Sequence, residues 1–363
     1  MNKVAITECK RYDSKKLREA ILETIANSDF PTLEGKTVLL KTNILSDSSP
    51  DKHITTNPSF VKELATICKE RGASTVYIGD SPALPGHSFK GEGCKIAEVC
   101  RETESQWADF SKKTVSKHIW QNIEVPIAAI VFDVDVVITV PKMKTHQLMY
   151  TTGAVKNMFG IIPGLNKSPM HLKARSPENF AKFLLSLYDA RTPDYAIMDG
   201  IIAMEGAGPA NGTPRQVGYI IGSKCGIAVD FAQATIMGYD PMDIPILNQA
   251  KKRDKNADDI EYTILNAKDC VIDDFRRIAV KKKNLVSSLI LPFFTRYFDR
   301  KRASKRQEPI FIHDRCRKCK KCVDICPAKA LSLDSGKIQL KEEKCIRCYC
   351  CHEMCPFDAI KID

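Results

Sequence analysis

The chain is 363 residues long, 44% hydrophobic and 27% charged, with a net charge of +11 and fifteen cysteines. That length allows two or three domains with packed cores. No stretch approaches the roughly 18–20 apolar residues that span a bilayer, and the chain turns charged after residue 7, before an apolar core of signal-peptide length is built, so the expectation is a cytoplasmic protein without a transmembrane helix.

From the N-terminus the pattern alternates strand and helix. Residues 3–7 predict a short strand, and residues 14–28 a helix with Ser14 as its cap and Leu17, Ile21 and Ile25 at four-residue steps. Residues 37–41 predict a buried strand. Asn57-Pro58 opens a helix with Phe60, Val61, Leu64, Ile67 and Cys68 on one face, and Gly72 stops it. Residues 75–79 are the next strand, and residues 80–130 are less regular. Residues 133–140, nearly all β-branched, are the strongest strand, and Pro141 ends it. Ser176-Pro177 caps a helix carrying Phe180, Phe183, Leu184, Leu187 and Tyr188. Strands over 195–198 and 217–221 and a helix over 227–237 complete the pattern. This alternation predicts an α/β domain, a largely parallel sheet with flanking helices.

In open parallel sheets, ligands bind beyond the carboxyl ends of the strands. The residues just past the predicted strands include Lys41, Thr42 and Asn43; Asp80 and Ser81; Lys142, Lys144, Thr145 and His146; and Asp199, Gly200 and Glu205. Lys142 and Lys144, two positions apart, point the same way if the extended chain continues past Pro141. With His146 and Lys156 they form a cationic pocket suited to a carboxylate, a phosphate or the charge that develops on a substrate being reduced. His146 is placed to donate a proton at neutral pH. The competing view leaves the lysines solvated and His146 bonded to a loop. The catalytic candidates are Lys142, Lys144, His146 and Lys156; the substrate-binding candidates are Lys41, Asn43, Asp80, Ser81, Asn157 and Glu205. The glycine-rich stretch from Glu205 to Gly212 is neither a dinucleotide fingerprint nor a Walker loop. It is a flexible turn or a backbone cradle for an anion, and no nucleotide cofactor is expected. Asp230 and Asp240 flank a helix as caps, and no second metal site stands out.

Residues 276–306 hold eleven Lys or Arg against one acid, Asp299. Inside them the apolar, aromatic stretch 285–298 is bracketed by Lys281, Lys282 and Lys283 and by Arg300, Lys301 and Arg302. Such a segment either packs on the large domain as a connector, or lies on an anionic membrane surface or an acidic partner. No reader motif accompanies the charge, so nucleic acid is not an expected partner.

Two cysteine runs come next: Cys316-x-x-Cys319-x-x-Cys322-x-x-x-Cys326-Pro327 and Cys345-x-x-Cys348-x-x-Cys351-x-x-x-Cys355-Pro356. Zinc usually takes two separated pairs, whereas each run here is one unbroken series. Both runs resemble bacterial-type ferredoxins, and the sequences after Cys326 and Cys355 echo each other. In that pattern three close thiolates hold one [4Fe–4S] cluster and the fourth reaches across to the other. The resemblance implies two [4Fe–4S] clusters, the first on Cys316, Cys319, Cys322 and Cys355 and the second on Cys345, Cys348, Cys351 and Cys326. Cys350 falls off the spacing and is a spare thiol. Cys9, Cys68, Cys94, Cys100, Cys225 and Cys270 are scattered, which with the clusters points to a reducing interior and an anaerobic setting.

The upstream region resembles the family catalogued as domain of unknown function 362, often fused to a two-cluster ferredoxin. Among the matching segments are Gly79-Asp80-Ser81-Pro82, Lys142-Met143-Lys144-Thr145-His146, Gly153-Ala154-Val155-Lys156-Asn157-Met158-Phe159-Gly160 and Met204-Glu205-Gly206-Ala207-Gly208-Pro209. The family's Lys-Pro-Asn is Lys41-Thr42-Asn43 here. By analogy the resemblance favours the lysine–histidine segment as a site, and it says little about the reaction.

Three parts are expected: an α/β domain over 1–275 with a ligand crevice, a basic connector over 276–309, and a small α+β two-cluster ferredoxin-like domain over 310–363. The expected function is electron transfer, as a reductase delivering low-potential electrons from an external donor protein to a small anionic or carbonyl/unsaturated substrate. Two alternatives are a non-enzymatic relay or maturation factor docking a larger redox enzyme, and a redox-neutral enzyme with structural clusters.

Overall fold

The computed structural model describes residues 1–83, 89–280 and 307–362. The basic run expected at 281–306, with Lys281, Lys282, Lys283, Arg300, Lys301 and Arg302 and the apolar stretch 285–298, lies outside the described residues.

The strands of the large domain, in chain order, are β1 (Asn2–Glu8), β2 (Thr37–Thr42), β3 (Thr75–Gly79), β4 (Gln106–Trp107), β5 (Thr114–Ile119), β6 (Ile123–Ala128), β7 (Val136–Val140), β8 (Lys142–His146), β9 (Tyr150–Thr152), β10 (Tyr195–Glu205), β11 (Thr213–Ser223) and β12 (Ile260–Tyr262). The main sheet runs β12-β1-β11-β10-β7-β2-β3-β4, with β8 pairing β10 and β9. Its β10-β7-β2-β3-β4 part is parallel, and β11 runs antiparallel to both β10 and β1. The mixed, mostly parallel sheet with flanking helices agrees with the sequence pattern. β5 and β6 form a separate hairpin inside the stretch that had no predicted element.

Strand alternation sorts the core onto two faces. Val38 and Leu40 of β2 join Leu17, Ile21, Phe60 and Leu64 from the helices Ser14–Ala26 and Pro58–Glu70. Leu39 faces the other way, into the layer containing Phe180, Phe183 and Leu187 of the helix Pro177–Ala190. Full burial stabilises each such side chain by about 1.5–3 kcal/mol.

Several local expectations need adjusting. Asp13, not Ser14, caps the first helix, accepting from Lys16 N at 3.2 Å, while the Ser14 hydroxyl donates to Glu63 at 2.7 Å. Asp133 ends a short helix, Ile130–Asp133, and β7 starts only at Val136, where the Asp135 carboxylate accepts from Thr37 N at 2.8 Å and fixes the register. β10 and β11 are much longer than predicted because they continue as an antiparallel pair beyond the break between Gly200 and Ile202. Asp230 caps no end of its own helix, Gly226–Ile236; it caps another segment through space. Asp240 does cap locally, accepting from Met242 N at 2.9 Å.

The C-terminal region is small and closed end to end. Pro309–Phe311 pairs antiparallel with Ile360–Ile362, and Leu331–Asp334 with Lys337–Leu340. Two one-turn helices, Lys321–Asp324 and Cys350–Glu353, lie within the two cysteine runs at matching positions. Left-handed residues fall at matching places in the two halves, Lys318 with Arg347, Lys320 with Tyr349 and Lys329 with Asp358. The sequence repeat is therefore also a backbone repeat.

Candidate functional site

Pro141 determines how the site is built. Its ring leaves the ladder without a donor, so β7 stops at Val140. The chain resumes as β8 alongside β10, with Lys142 opposite Asp199 and Lys144 opposite Met204. Both lysines are wholly buried. Lys142 Nζ lies 2.7 Å from Asp199 Oδ2 and 2.8 Å from Tyr12 OH. Lys144 Nζ donates to Asn43 Oδ1 at 2.6 Å and Ile54 O at 2.7 Å, and has no carboxylate partner among the described residues. Burial, with Lys156 and Lys142 nearby, pushes it down to about 7.

A second knot joins the ends of β2 and β3. Lys41 Nζ lies 2.7 Å from Asp80 Oδ1 and donates to Thr42 O and Asn157 Oδ1. Asn157 in turn donates to Lys41 O at 3.1 Å and Thr139 Oγ1 at 2.9 Å. The glycines flanking this segment are there for space. A side chain on Gly160 would collide with Asp80 and Lys41, and one on Gly153 with Asp230. The Asp230 carboxylate accepts from Ala154 N at 2.5 Å and Val155 N at 3.0 Å, so it anchors the turn that presents Lys156 and Asn157.

The dicluster region closes over these strand ends. Its helix Cys350–Glu353 and neighbouring residues face the large domain, and Ile325, Cys350 and Met354 pack with Ala83. His352 sits 3.2 Å from Ala207 O through Nε2, and Asn211 donates to His352 O at 3.2 Å. The glycine-rich stretch after Glu205 is thus a docking loop for the second domain. Between the two domains lies a cleft of about 620 Å³, including its open mouth. Lys41, Asn43, Asp80, Ser81, Lys156 and Asn157 line it from the α/β side, together with Lys167 and His171. Cys350, Glu353 and Met354 line it from the other. A smaller cavity, lined by Lys142 and Lys144, shares Asn43, Lys156 and Asn157 with the cleft.

Lys142 and Lys144 therefore reach only the smaller cavity, and two further sequence candidates line neither space. Glu205 accepts from Arg276 N at 3.0 Å and Arg276 Nε at 2.7 Å. His146 is fully buried, and its Nδ1 accepts from Leu148 N and Met149 N. Its proton therefore sits on Nε2, 2.9 Å from Glu353 Oε1, in a contact that is close but not aligned as a hydrogen bond. Burial, reinforced by Lys156, pushes His146 down to about 4, so it is a neutral linker between domains rather than a proton donor at neutral pH.

The cysteines divide as the ferredoxin pattern implies. Cys316, Cys319, Cys322 and Cys355 line one small apolar cavity, and Cys326, Cys345, Cys348 and Cys351 line another together with Cys350. Backbone N–H groups of Lys318, Ala330 and Ala359 point at the sulfurs of Cys316, Cys326 and Cys355 at 3.2–3.4 Å, as suits thiolates on iron. Among the described residues no three Cys, His, Asp or Glu converge on one metal ion. Each cavity is lined by the four thiols that one cubane cluster requires.

Residues 38–235 match the model described as Domain of unknown function (DUF362), and residues 315–359 match the 4Fe-4S dicluster domain. The chain belongs to the DUF362 family. Its dicluster domain implies two [4Fe–4S] clusters and electron transfer. This DUF362 chain is 28% identical over 279 residues, 75% of its length and 87% of the relative's, to a thylakoid-associated protein of Synechocystis. Among solved structures it is similar to the lactate racemase apoprotein from Thermoanaerobacterium thermosaccharolyticum, with TM-score 0.41, 12% identity and coverage of 62% of this chain and 54% of that one. It is also similar to a structural-genomics target from Thermotoga maritima, with TM-score 0.38, 12% identity and coverage of 54% and 52%. The chain thus spans about half the length of each of these two structures.

Sequence reasoning missed Lys167, Cys350, Glu353 and Met354. Lys167 is buried, donates to Ser81 O at 2.6 Å, and is pushed down to about 7 by burial despite the pull of Asp80. It stands well away in sequence from any strand end. The other three were assigned to the cluster domain, and no local signal shows that their helix turns toward the lysines. Among the described residues no helix is long and apolar enough to cross a membrane.

Proposed function

We propose that this protein is a reductase in which electrons held in the dicluster domain reach a small anionic, carbonyl or unsaturated substrate bound in the interdomain cleft. The observation that carries this reading is the shared lining. Lysines of the DUF362 domain face Cys350, Glu353 and Met354, residues interspersed among the cluster ligands Cys348, Cys351 and Cys355. When bound, the clusters supply low-potential electrons one at a time.

The protein's own residues supply the rest. Lys156 is half-buried and makes no hydrogen bond or ion pair among the described residues; its ammonium rests 5.7 Å from the Phe159 ring. It is the cation available to a carboxylate or phosphate. Lys41 is already engaged by Asp80, Thr42 and Asn157, so it orients the wall. Lys167 and Lys144, both near 7, are poised to give a proton at neutral pH, the task first assigned to His146. Met354 and Phe159 exclude water from the apolar side.

The test is anaerobic electron uptake by the full iron-loaded chain from a reduced low-potential dye, with small keto and unsaturated acids added. The expected result is turnover beyond the clusters' own capacity of about two electrons, lost in Lys156→Met with iron content unchanged. Uptake that stops at that capacity with every acid would refute the reading. Cytoplasmic residence is part of the same proposal. The Synechocystis relative is named for its thylakoid association, so recovery of this chain in a washed membrane pellet would overturn it.

A further inference from the structure

The two cluster sites are not equivalent in exposure. Cys319 is exposed, and beside it stand Arg317, Lys318, Lys320 and Lys321, all exposed and without an ion pair among the described residues. Arg315, on the same rim, is held by Asp358 at 2.6 Å. Phe357, 41% exposed, lines the same thiol cavity. Only Asp314 and Asp324 oppose five Lys or Arg residues between 313 and 324. None of the other four thiols is exposed: Cys326, Cys345 and Cys348 are half-buried and Cys351 is buried, and Cys350 beside them lines the interdomain cleft.

We propose that this basic rim is the docking surface for an acidic one-electron carrier protein, and that electrons enter at the Cys316/Cys319/Cys322/Cys355 site and leave from the Cys326/Cys345/Cys348/Cys351 site. An exposed ligand beside an aromatic ring and unpaired cations suits a transient partner whose surface is rich in Asp and Glu. One electron leaves the reduced carrier and is accepted at the exposed site; the carrier departs oxidised by one electron, and no atom is transferred. The inference rests on the electron-transfer reading but not on any chemistry in the cleft, and its test measures carrier binding, so the two can fail separately.

The full iron-loaded chain is titrated anaerobically with an acidic plant-type [2Fe–2S] ferredoxin by calorimetry, at low and at high salt. The expected affinity falls ~10-fold or more with salt, and by a similar factor in Arg317→Glu/Lys321→Glu at low salt. Lys112→Glu/Lys113→Glu, exposed on the other domain, keeps wild-type affinity. If the charge-reversed pair loses iron, Arg317→Gln/Lys321→Gln is used, with the same direction and a smaller factor. The proposal is overturned by absence of binding at low salt, by equal affinity of the rim variants and wild type, or by rim-dependent binding to phosphatidylserine vesicles alone.

Discussion

His146 Nε2 lies 2.9 Å from Glu353 Oε1, and this contact joins the lysine-bearing strand of one domain to the helix between cluster ligands of the other. Burial would raise the Glu353 carboxyl, but His146 and Lys156 hold it well below the usual carboxylate range. Glu353→Ala removes the carboxylate that faces the buried His146 Nε2 at 2.9 Å, and loss of that polar contact costs about 1–3 kcal/mol. The expected outcome is a lower thermal midpoint and faster proteolysis between the domains, with Glu353→Gln recovering most of both. An unchanged midpoint in the alanine variant would show that the domains are held elsewhere.

Gly160 tests the Lys41–Asp80 knot. Gly160→Ala drives a methyl into both partners and should cost about 1–3 kcal/mol through overpacking. Gly206→Ala meets nothing within 4 Å, but its φ of +73° gives a strain of about 1–2 kcal/mol. Denaturant unfolding measures both. Only Gly160→Ala should also weaken anion binding in the cleft.

Lys144 gives a pH signature. Its folded value near 7 lies below the ordinary 10.5, so between those limits the unfolded chain binds more protons. Its contribution to stability therefore rises from pH 7 toward 10.5 and is most unfavourable below 7. Lys144→Met should remove that rise. The measured quantity is the wild-type-minus-variant difference in unfolding free energy against pH; a difference that stays flat across the window would show that the lysine is not buried as a near-neutral amine.

Crossed ligation predicts a specific pattern of iron loss. Cys355→Ser should disturb the site built on Cys316, Cys319 and Cys322, and Cys326→Ser the site built on Cys345, Cys348 and Cys351. Cys350→Ser should keep about eight irons per chain. Iron analysis and low-temperature paramagnetic resonance of the reduced protein distinguish the cases.

Much of this was legible in the sequence because it depends on local chemistry. Thiol spacing and strand periodicity act over a few residues, so the dicluster domain, β2 and β3 could be placed by pattern. Lys41, Asn43, Asp80 and Ser81 stand at or just past the carboxyl ends of β2 and β3, where a parallel sheet binds its ligands, and with Asn157 they do share one cleft. Illegible were the contacts made over long stretches of chain. Nothing near His146 or Glu205 in sequence announces Glu353 or Arg276 as partners, and these partners turn both residues away from the cleft. Caps were misassigned for a similar reason: Asp230 serves backbone amides 75 and 76 positions away.

On the crossed ligation that the ferredoxin resemblance implies, each iron cube draws its fourth thiol from the opposite half of the repeat. A nonsense change before Cys355 therefore strips a ligand from the first centre even though Cys316, Cys319 and Cys322 survive. Loss of either half on this ligation costs both centres a thiol.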